Sequence, residues 1–347
     1  MKTKRRMLSV VLTAVAVSLL TSHCTPTATD TAPPSDCRIQ QSTSTIRNAG
    51  GEGTEQTQYE YDPAGNLTRM VKTLLLQTGT TGRQSTTSTD TYSYDANNVL
   101  TRKATVIEDR SVFAGTTTGS TNTTTTDYTY SNDRLTGYRT TNVNSRTTAS
   151  GPQQPRTTTS TSQYTYDVTG QLIRQAIDNG QTITYQAGKV VAYTGVPFTV
   201  TDGLIVKAVF PGTQGTGNVP YNLTQLRQYD DQRRVIEHRE LINDTLDRYN
   251  TYSWQAGRPA ESSLPAFKGH PKTSNPYGET GLATEYRQFH VNRQQGDRPY
   301  ETNRTQTVYQ LNAQGYVTQS TATTTYTTNG QTQPDVVTTT YTYTNCN

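Results

Sequence analysis

Few residues in this 347-residue chain have the type and spacing that chemistry needs. Four histidines occur, His23, His238, His270 and His290. His23 leaves with the N-terminal segment, and His238, His270 and His290 sit far apart, so each of these three reads as a surface residue and no metal site is expected. Glu237 and Glu240 flank His238 and could pair as the two carboxylates of glycoside hydrolysis. Arg233, Arg234 and Arg239 stand among them, and a solvated charged strand accounts better for the group. Pro211-Gly-Thr-Gln-Gly-Thr-Gly217 is Gly-rich, yet no helical pattern follows it to complete a phosphate site. Neither a Walker loop nor Gly-x-Ser-x-Gly nor His-Glu-x-x-His occurs. The expectation is a protein without catalysis and without a cofactor.

The start of the chain sets a compartment. Met-Lys-Thr-Lys-Arg-Arg precedes an apolar run from Met7 to Leu20. A basic start, a short apolar stretch and a small-residue exit make a secretory signal peptide over residues 1–23. The run is short for a spanning helix, which takes about 20 residues, and a permanent anchor is the weaker alternative. Lys2, Lys4, Arg5 and Arg6 carry all of the formal +4 charge, so the chain beyond them is near neutral. That balance gives no warrant for nucleic-acid binding.

Leu20-Thr21-Ser22-His23-Cys24 resembles the lipobox of bacterial lipoproteins, with His23 where a small residue is usual. The resemblance implies lipidation at Cys24 and a mature chain beginning there; ordinary signal-peptidase cleavage, giving a soluble secreted protein, is the alternative. Residues 24–36 form a Thr- and Pro-rich linker that lacks the apolar surface to order itself. Lipidation of one of the three cysteines leaves Cys37 and Cys346, at the two ends of the remaining domain. In an oxidising compartment these two are expected to close a disulfide, which requires the first and last strands to meet.

Residues 37–347 are uniformly rich in Thr, Tyr, Gln, Asn and Gly, with 23 Tyr against 5 Phe and 1 Trp. The tyrosines recur regularly. Tyr59-Glu-Tyr61-Asp-Pro-Ala-Gly-Asn-Leu67 is followed by Tyr92-Ser-Tyr94 with Leu100, Tyr128-Thr-Tyr130 with Leu135, and Tyr164-Thr-Tyr166 with Leu172. The second Tyr returns at intervals of 33, 36 and 36 residues. Looser copies start at Tyr185, Tyr229, Tyr252 and Tyr309, and a half copy stands at Tyr341-Thr-Tyr343. Tyr at i and i+2 share one face of a strand, and Asp, Pro, Gly and Asn then supply a turn. Each copy therefore predicts a β-hairpin whose Tyr and Leu form the core. Thr-rich runs such as Ser85–Asp90 and Thr121–Thr126 read as approach strands, with low-complexity disorder as the alternative. Residues 77–82, 115–120 and 149–155 read as return loops. Arg233–Leu246 fits a strand better than a helix.

The Tyr-x-Tyr-Asp-x-x-Gly-Asn-Leu copies resemble YD repeats of the RHS/YD-repeat family, most closely over residues 59–67, 92–100 and 164–172. The chain is similar to the short, lipid-anchored YD-repeat proteins of Bacteroidetes-type bacteria. That resemblance implies antiparallel hairpins in a wound sheet and a link to carbohydrate binding. The expected fold is all-β: hairpin repeats in a long twisted or curled sheet, partly closed, behind an N-terminal signal helix. The expected role is that of a non-catalytic lipoprotein at the outer membrane or cell surface, its partners a membrane through the lipid and a glycan or surface protein. A shell fragment of a polymorphic toxin or adhesin system is the second reading. A glycan-active enzyme is the third, disfavoured by the missing acid pair. An integral outer-membrane barrel is disfavoured because its strands would alternate aliphatic residues.

Overall fold

A computed structural model describes residues 37–344 and Cys346, apart from residues 49–50, 79–81, 114–115, 149–150, 179, 195–197, 215–218, 269, 272–276, 278–280, 293–297 and 329–330. The signal helix, Cys24 and the linker lie outside the described residues.

Twenty-one strands and one 3₁₀ turn make up the regular structure of the described residues. The first half holds β1 (Arg38–Asn48), β2 (Gly51–Tyr61), β3 (Leu67–Thr78), β4 (Gly82–Tyr94), β5 (Leu100–Phe113), β6 (Thr116–Ser131), β7 (Arg134–Thr148), the two-residue β8 (Gly151–Pro152), β9 (Arg156–Tyr166) and β10 (Leu172–Ile177). The second holds β11 (Thr182–Gln186), β12 (Lys189–Thr194), β13 (Phe198–Thr201), β14 (Leu204–Gln214), β15 (Val219–Tyr229), β16 (Val235–Ile242), β17 (Thr245–Gln255), β18 (Leu282–Asn292), β19 (Arg298–Leu311), β20 (Val317–Thr328) and β21 (Gln331–Thr344). The 3₁₀ turn is Ala260–Ser263.

Every ladder is antiparallel and links neighbours in sequence, with β7 passing over β8 to pair also with β9. β12 and β13 lie side by side as a seam, where the Tyr193 and Phe198 rings are 4.9 Å apart. The last strand then pairs with the first, Tyr343 opposite Ile39 and Val337 opposite Ile46. The sheet is a nearly closed, up-and-down barrel. Closure removes the open edges on which an array of hairpins would otherwise aggregate.

The join completes a repeat. In an intact copy Tyr61 pairs with Leu67 across the turn. At the join Tyr343 takes the place of Tyr61, and Ile39 takes the place of Leu67. The Cys37–Cys346 disulfide stands where the turn would be, its Cα atoms 4.2 Å apart. One repeat is thus divided between the two ends of the chain.

The turns of the three closest copies follow the expected chemistry. Asp62 Oδ1 accepts from the Asn66 amide at 2.8 Å, and Asp95 Oδ1 accepts from Asn97 and Val99 at 2.9 Å. Asp167 does the same for Thr169 and Gln171, which with the Thr169 hydroxyl holds its carboxyl below the usual range. Gly65 has φ of 87°, and a Cβ there would run into the Arg38 guanidinium. The strands reach further than the sequence suggests. Gly119 and Ser120, expected in a return loop, are paired in β6 with Arg110 and Asp109. Long Thr runs extend a ladder because β-branched side chains tolerate both a wet face and a dry one. Arg233–Leu246 is β and not helix, as expected, but it is not a single strand: β16 ends at Ile242 and a hairpin turn at Asn243-Asp244 starts β17.

Core positions differ in depth. The return residues Leu67, Leu100, Leu135 and Leu172 are buried, none above 5% exposed. Tyr59, Tyr61, Tyr92, Tyr94, Tyr128, Tyr130, Tyr164 and Tyr166 are half-buried. They line a lumen too wide to fill, so each ring packs on its neighbours and keeps a wet edge. The opposite face carries Glu60, Arg69, Thr91, Ser93, Arg102 and Thr129, all exposed or partly so. Leu75, Val308 and the stacked Tyr249 and Phe289 rings add apolar patches to the same face.

Replacing Cys37 and Cys346 by Ser should lower thermal stability. Chain-entropy arithmetic for a loop this long sets an upper figure of about 5–6 kcal/mol. Hydrogen exchange should quicken first at β1 and β21, and uniform exchange across the barrel would show that the join is not the weak point.

Candidate functional site

The tight-turn end of the barrel is built by one contact repeated around the ring. The second aromatic of each copy donates to the carbonyl that begins the return strand of the copy before. Tyr61 donates to Ile39 at 2.7 Å, Tyr94 to Leu67 at 2.8 Å, Tyr166 to Leu135 at 2.6 Å and Tyr229 to Ile205 at 2.8 Å. Tyr309 donates to Ala283 at 2.9 Å and Tyr343 to Val317 at 2.6 Å. In the degraded copy at Tyr252 the Trp254 indole does the same to Val235, at 2.8 Å. The residue before the acceptor covers the ring: Arg38 over Tyr61, Arg134 over Tyr166 and Arg234 over Trp254, at 5.7, 6.0 and 5.8 Å. The residue after it closes the turn. Thr68, Thr101, Thr136 and Thr318 donate to carbonyls of the facing strand at 3.0–3.2 Å, where the ladder shifts register. The recurrent Leu-Thr or Val-Thr pair was the available signal for these threonines.

Tyr130 breaks the series. Its hydroxyl is 2.9 Å from Nε2 of His270, which belongs to residues 256–281 between β17 and β18. That segment replaces the tight turn of the Tyr252 copy. Its described residues meet the wall in ring order. Arg258 bridges to Tyr316, at the turn between β19 and β20. Ser263 Oγ accepts from the Ile39 amide of β1 at 3.1 Å. Phe267 stacks on Tyr92 of β4 at 5.8 Å, and Lys268 donates to the Asn97 carbonyl at 3.1 Å. The His270 ring lies 5.2 Å from Tyr128 of β6. Pro271 lines a cavity of about 360 Å³ with Tyr166, Leu172 and Gly188. Tyr277 lies 5.4 Å from the Arg227 guanidinium of β15. Twenty-six residues span at most about 86–94 Å, so contacts this widely spread place the segment inside the ring. It is an inner strap on the mouth, and it fixes the tyrosine face as the lumenal one.

Above the strap, β15–β18 line the lumen with a polar group. Arg248 pairs with Glu240, and Glu240 also accepts from Gln225 at 3.3 Å. Arg227 donates to Gln225 at 2.9 Å. Tyr286 donates to Asn250 at 3.3 Å, and its ring is 5.3 Å from Tyr252. Burial, with Arg227 and Arg248 adjacent, pushes His238 below the usual imidazole range against the pull of Glu240. On the opposite wall Lys72 pairs with Glu55 at 2.8 Å and Lys103 with Asp90 at 2.9 Å.

Two expectations change here. His238, His270 and His290 are half-buried lumenal residues and not surface ones, because strand register and the strap turn them inward. Glu237 and Glu240 lie on opposite faces of the sheet: Glu237 pairs outside with Arg239 at 2.6 Å, while Glu240 is buried inside. Residues three apart on a strand point in opposite directions, so this pair cannot act on one bond. Of the Gly-rich 211–217 stretch, residues 211–214 belong to β14 and the rest lies outside the described residues. Among the described residues no cluster of His, Cys, Asp or Glu has metal-site geometry.

No family model matches the chain, and no curated protein does. Among solved structures it is similar to a porin-like protein from Bacteroides uniformis, at 15% identity, covering 90% of this chain and 98% of that one with a TM-score of 0.35. It is also similar to immune modulator A of Aeromonas veronii, at 8% identity, covering 89% and 95% with a TM-score of 0.12. Neither likeness is close enough to transfer a role.

Two outcomes test the tyrosine layer. Tyr166→Phe removes one hydroxyl and should cost about 1 kcal/mol by denaturant unfolding. Tyr166→Ala should cost about 3–5 kcal/mol, and a loss under about 0.5 would return this ring to the surface. Burial raises the Tyr61, Tyr128, Tyr229 and Tyr286 hydroxyls to about 12. The unfolded chain ionises near pH 10, so this stability is complete below pH 10 and lost as pH climbs from about 10 to 12. Stability from unfolding curves recorded across that window should fall as tyrosinate absorbance rises.

Proposed function

We propose that this chain is a non-catalytic binding protein displayed on a bacterial surface, held by a lipid on Cys24 and taking a glycan at the strapped end of its barrel. The observation that carries the reading is the division of chemistry between the two faces. Outside the mouth stand charged and hydroxyl side chains such as Glu60, Arg69, Thr91 and Arg102, while tyrosines, amides and paired charges converge inside it. Aromatic faces beside hydrogen-bonding groups suit sugar rings. The repeat pattern supports a place among short YD-repeat lipoproteins, and the N-terminal sequence supports export. The opposed faces of Glu237 and Glu240 count against a hydrolase. Because β21 pairs with β1, a shell that grows by adding repeats has no free edge to use at that join.

Cys24→Ala should move the protein from the detergent phase to the soluble fraction and abolish palmitate labelling. A native protein already soluble after export would remove the anchor. A glycan array probed with the purified protein should return a restricted set of sugars. Equal, featureless binding across the array, or none, would remove the glycan reading.

A further inference from the structure

Arg227 on β15 and His238 on β16 are directly opposed on the lumenal face. Each carries a buried polar atom with no partner, Nη1 of the guanidinium and Nε2 of the imidazole. Leaving such atoms unsatisfied is costly, and two facing one another mark a place where a ligand atom is missing. The surroundings define that atom's charge. Glu240 pairs with Arg248, while Arg227 reaches only the Gln225 amide, so two guanidiniums stand in the group against one carboxylate. They define its attachment as well. Asn250 lies opposite His238, the Tyr252, Tyr286 and Trp254 rings continue along the wall, and the strap's Tyr277 covers Arg227.

We propose that Arg227 and His238 form a binding site for the carboxylate of an acidic sugar, of the uronic-acid class. The guanidinium holds the anion by charge-assisted hydrogen bonds, with the imidazole donating from the other side. The aromatic rings take the sugar faces and Asn250 and Gln225 its hydroxyls. An acidic peptide would offer the same carboxylate but makes poor use of so many rings and amides in one place. The charged and titratable side chains around the imidazole are Arg227 from β15, Glu240 from its own strand, Arg248 from β17 and, opposite Arg248, His290 from β18; the bound anion adds to them. Without the anion the two cations disfavour imidazolium; with it imidazolium is favoured. Affinity should therefore rise as pH falls through the imidazole range.

This inference rests on the glycan reading above, and the experiment separates the two. The full exported protein is titrated by calorimetry with an oligogalacturonate, with the same oligomer methyl-esterified, and with oligoglutamate. The acid sugar should bind, and esterification should weaken it by about tenfold or more, as expected for losing a charged hydrogen bond. Arg227→Gln and His238→Gln should each weaken binding similarly, whereas Arg239→Gln on the outer face should not. In the unsubstituted protein the His238 ring resonances should shift during the titration, a readout independent of how the variants fold. Equal binding of acid and ester would overturn the carboxylate site and leave the glycan reading intact. Tighter binding of oligoglutamate would overturn it in favour of a peptide. No shift at His238, with the pair bridged only by ordered water, would overturn it whatever the array shows.

Discussion

Closure of the ring is the constraint on which the rest depends. An array of hairpins in one sheet has two free edges, and its concave face stays wet until those edges meet. Here they meet by completing a repeat. Ile39, fully buried, occupies the return position that Leu67, Leu135 and Leu172 occupy elsewhere. Arg38 covers the next aromatic as Arg134 and Arg234 do. The disulfide supplies the covalent link that a turn supplies in an intact copy. Once closed, the tyrosines face one another around a lumen, and a strap can be held from several sides at once.

The repeating brace explains why a core poor in aliphatic residues is sufficient. A tyrosine filling a return position would bury its hydroxyl without a partner. Placed two residues along, on the lumenal face, it packs half its ring and sends the hydroxyl to a carbonyl of the neighbouring hairpin. Each such bond contributes about 1 kcal/mol. Its larger effect is on geometry, because the donor and acceptor belong to different copies and fix the stagger between them. The aliphatic residue next to the acceptor then seals the backbone from water.

The degraded copies are where the molecule departs from simple repetition. In the Tyr252 copy the second aromatic becomes Trp254 and the tight turn becomes the strap. In the strands on either side the lumenal face holds Arg227, His238, Glu240 and Arg248, as the first half holds Glu55, Lys72, Asp90 and Lys103. Relaxation of the repeat shows at Arg227, which stands two residues before Tyr229, where an intact copy has its first Tyr. The candidate site therefore belongs to the part of the array that has stopped being a pure scaffold.

Much of this was legible in the residues. Tyr-x-Tyr-Asp followed by Gly-Asn-Leu determines a strand, a turn and a strand, because alternation and turn chemistry are local. The positions of Cys37 and Cys346 at the domain ends were enough to predict that the ends meet. The sequence also placed Glu237, Glu240 and His238 together, but only the register of β16 decided that one carboxylate faces out while the other joins the imidazole inside. Thr68 and Thr101 looked like ordinary strand residues until the register shift at each turn gave their hydroxyls a carbonyl. The path of residues 256–281 had no local signature at all. Its course comes from contacts with β1, β4, β6 and β15, strands separated from it by up to about two hundred residues. Period and turn type are set by neighbours along the chain; what faces the lumen, and what lies across it, is set by a ring that exists only after the last strand has found the first.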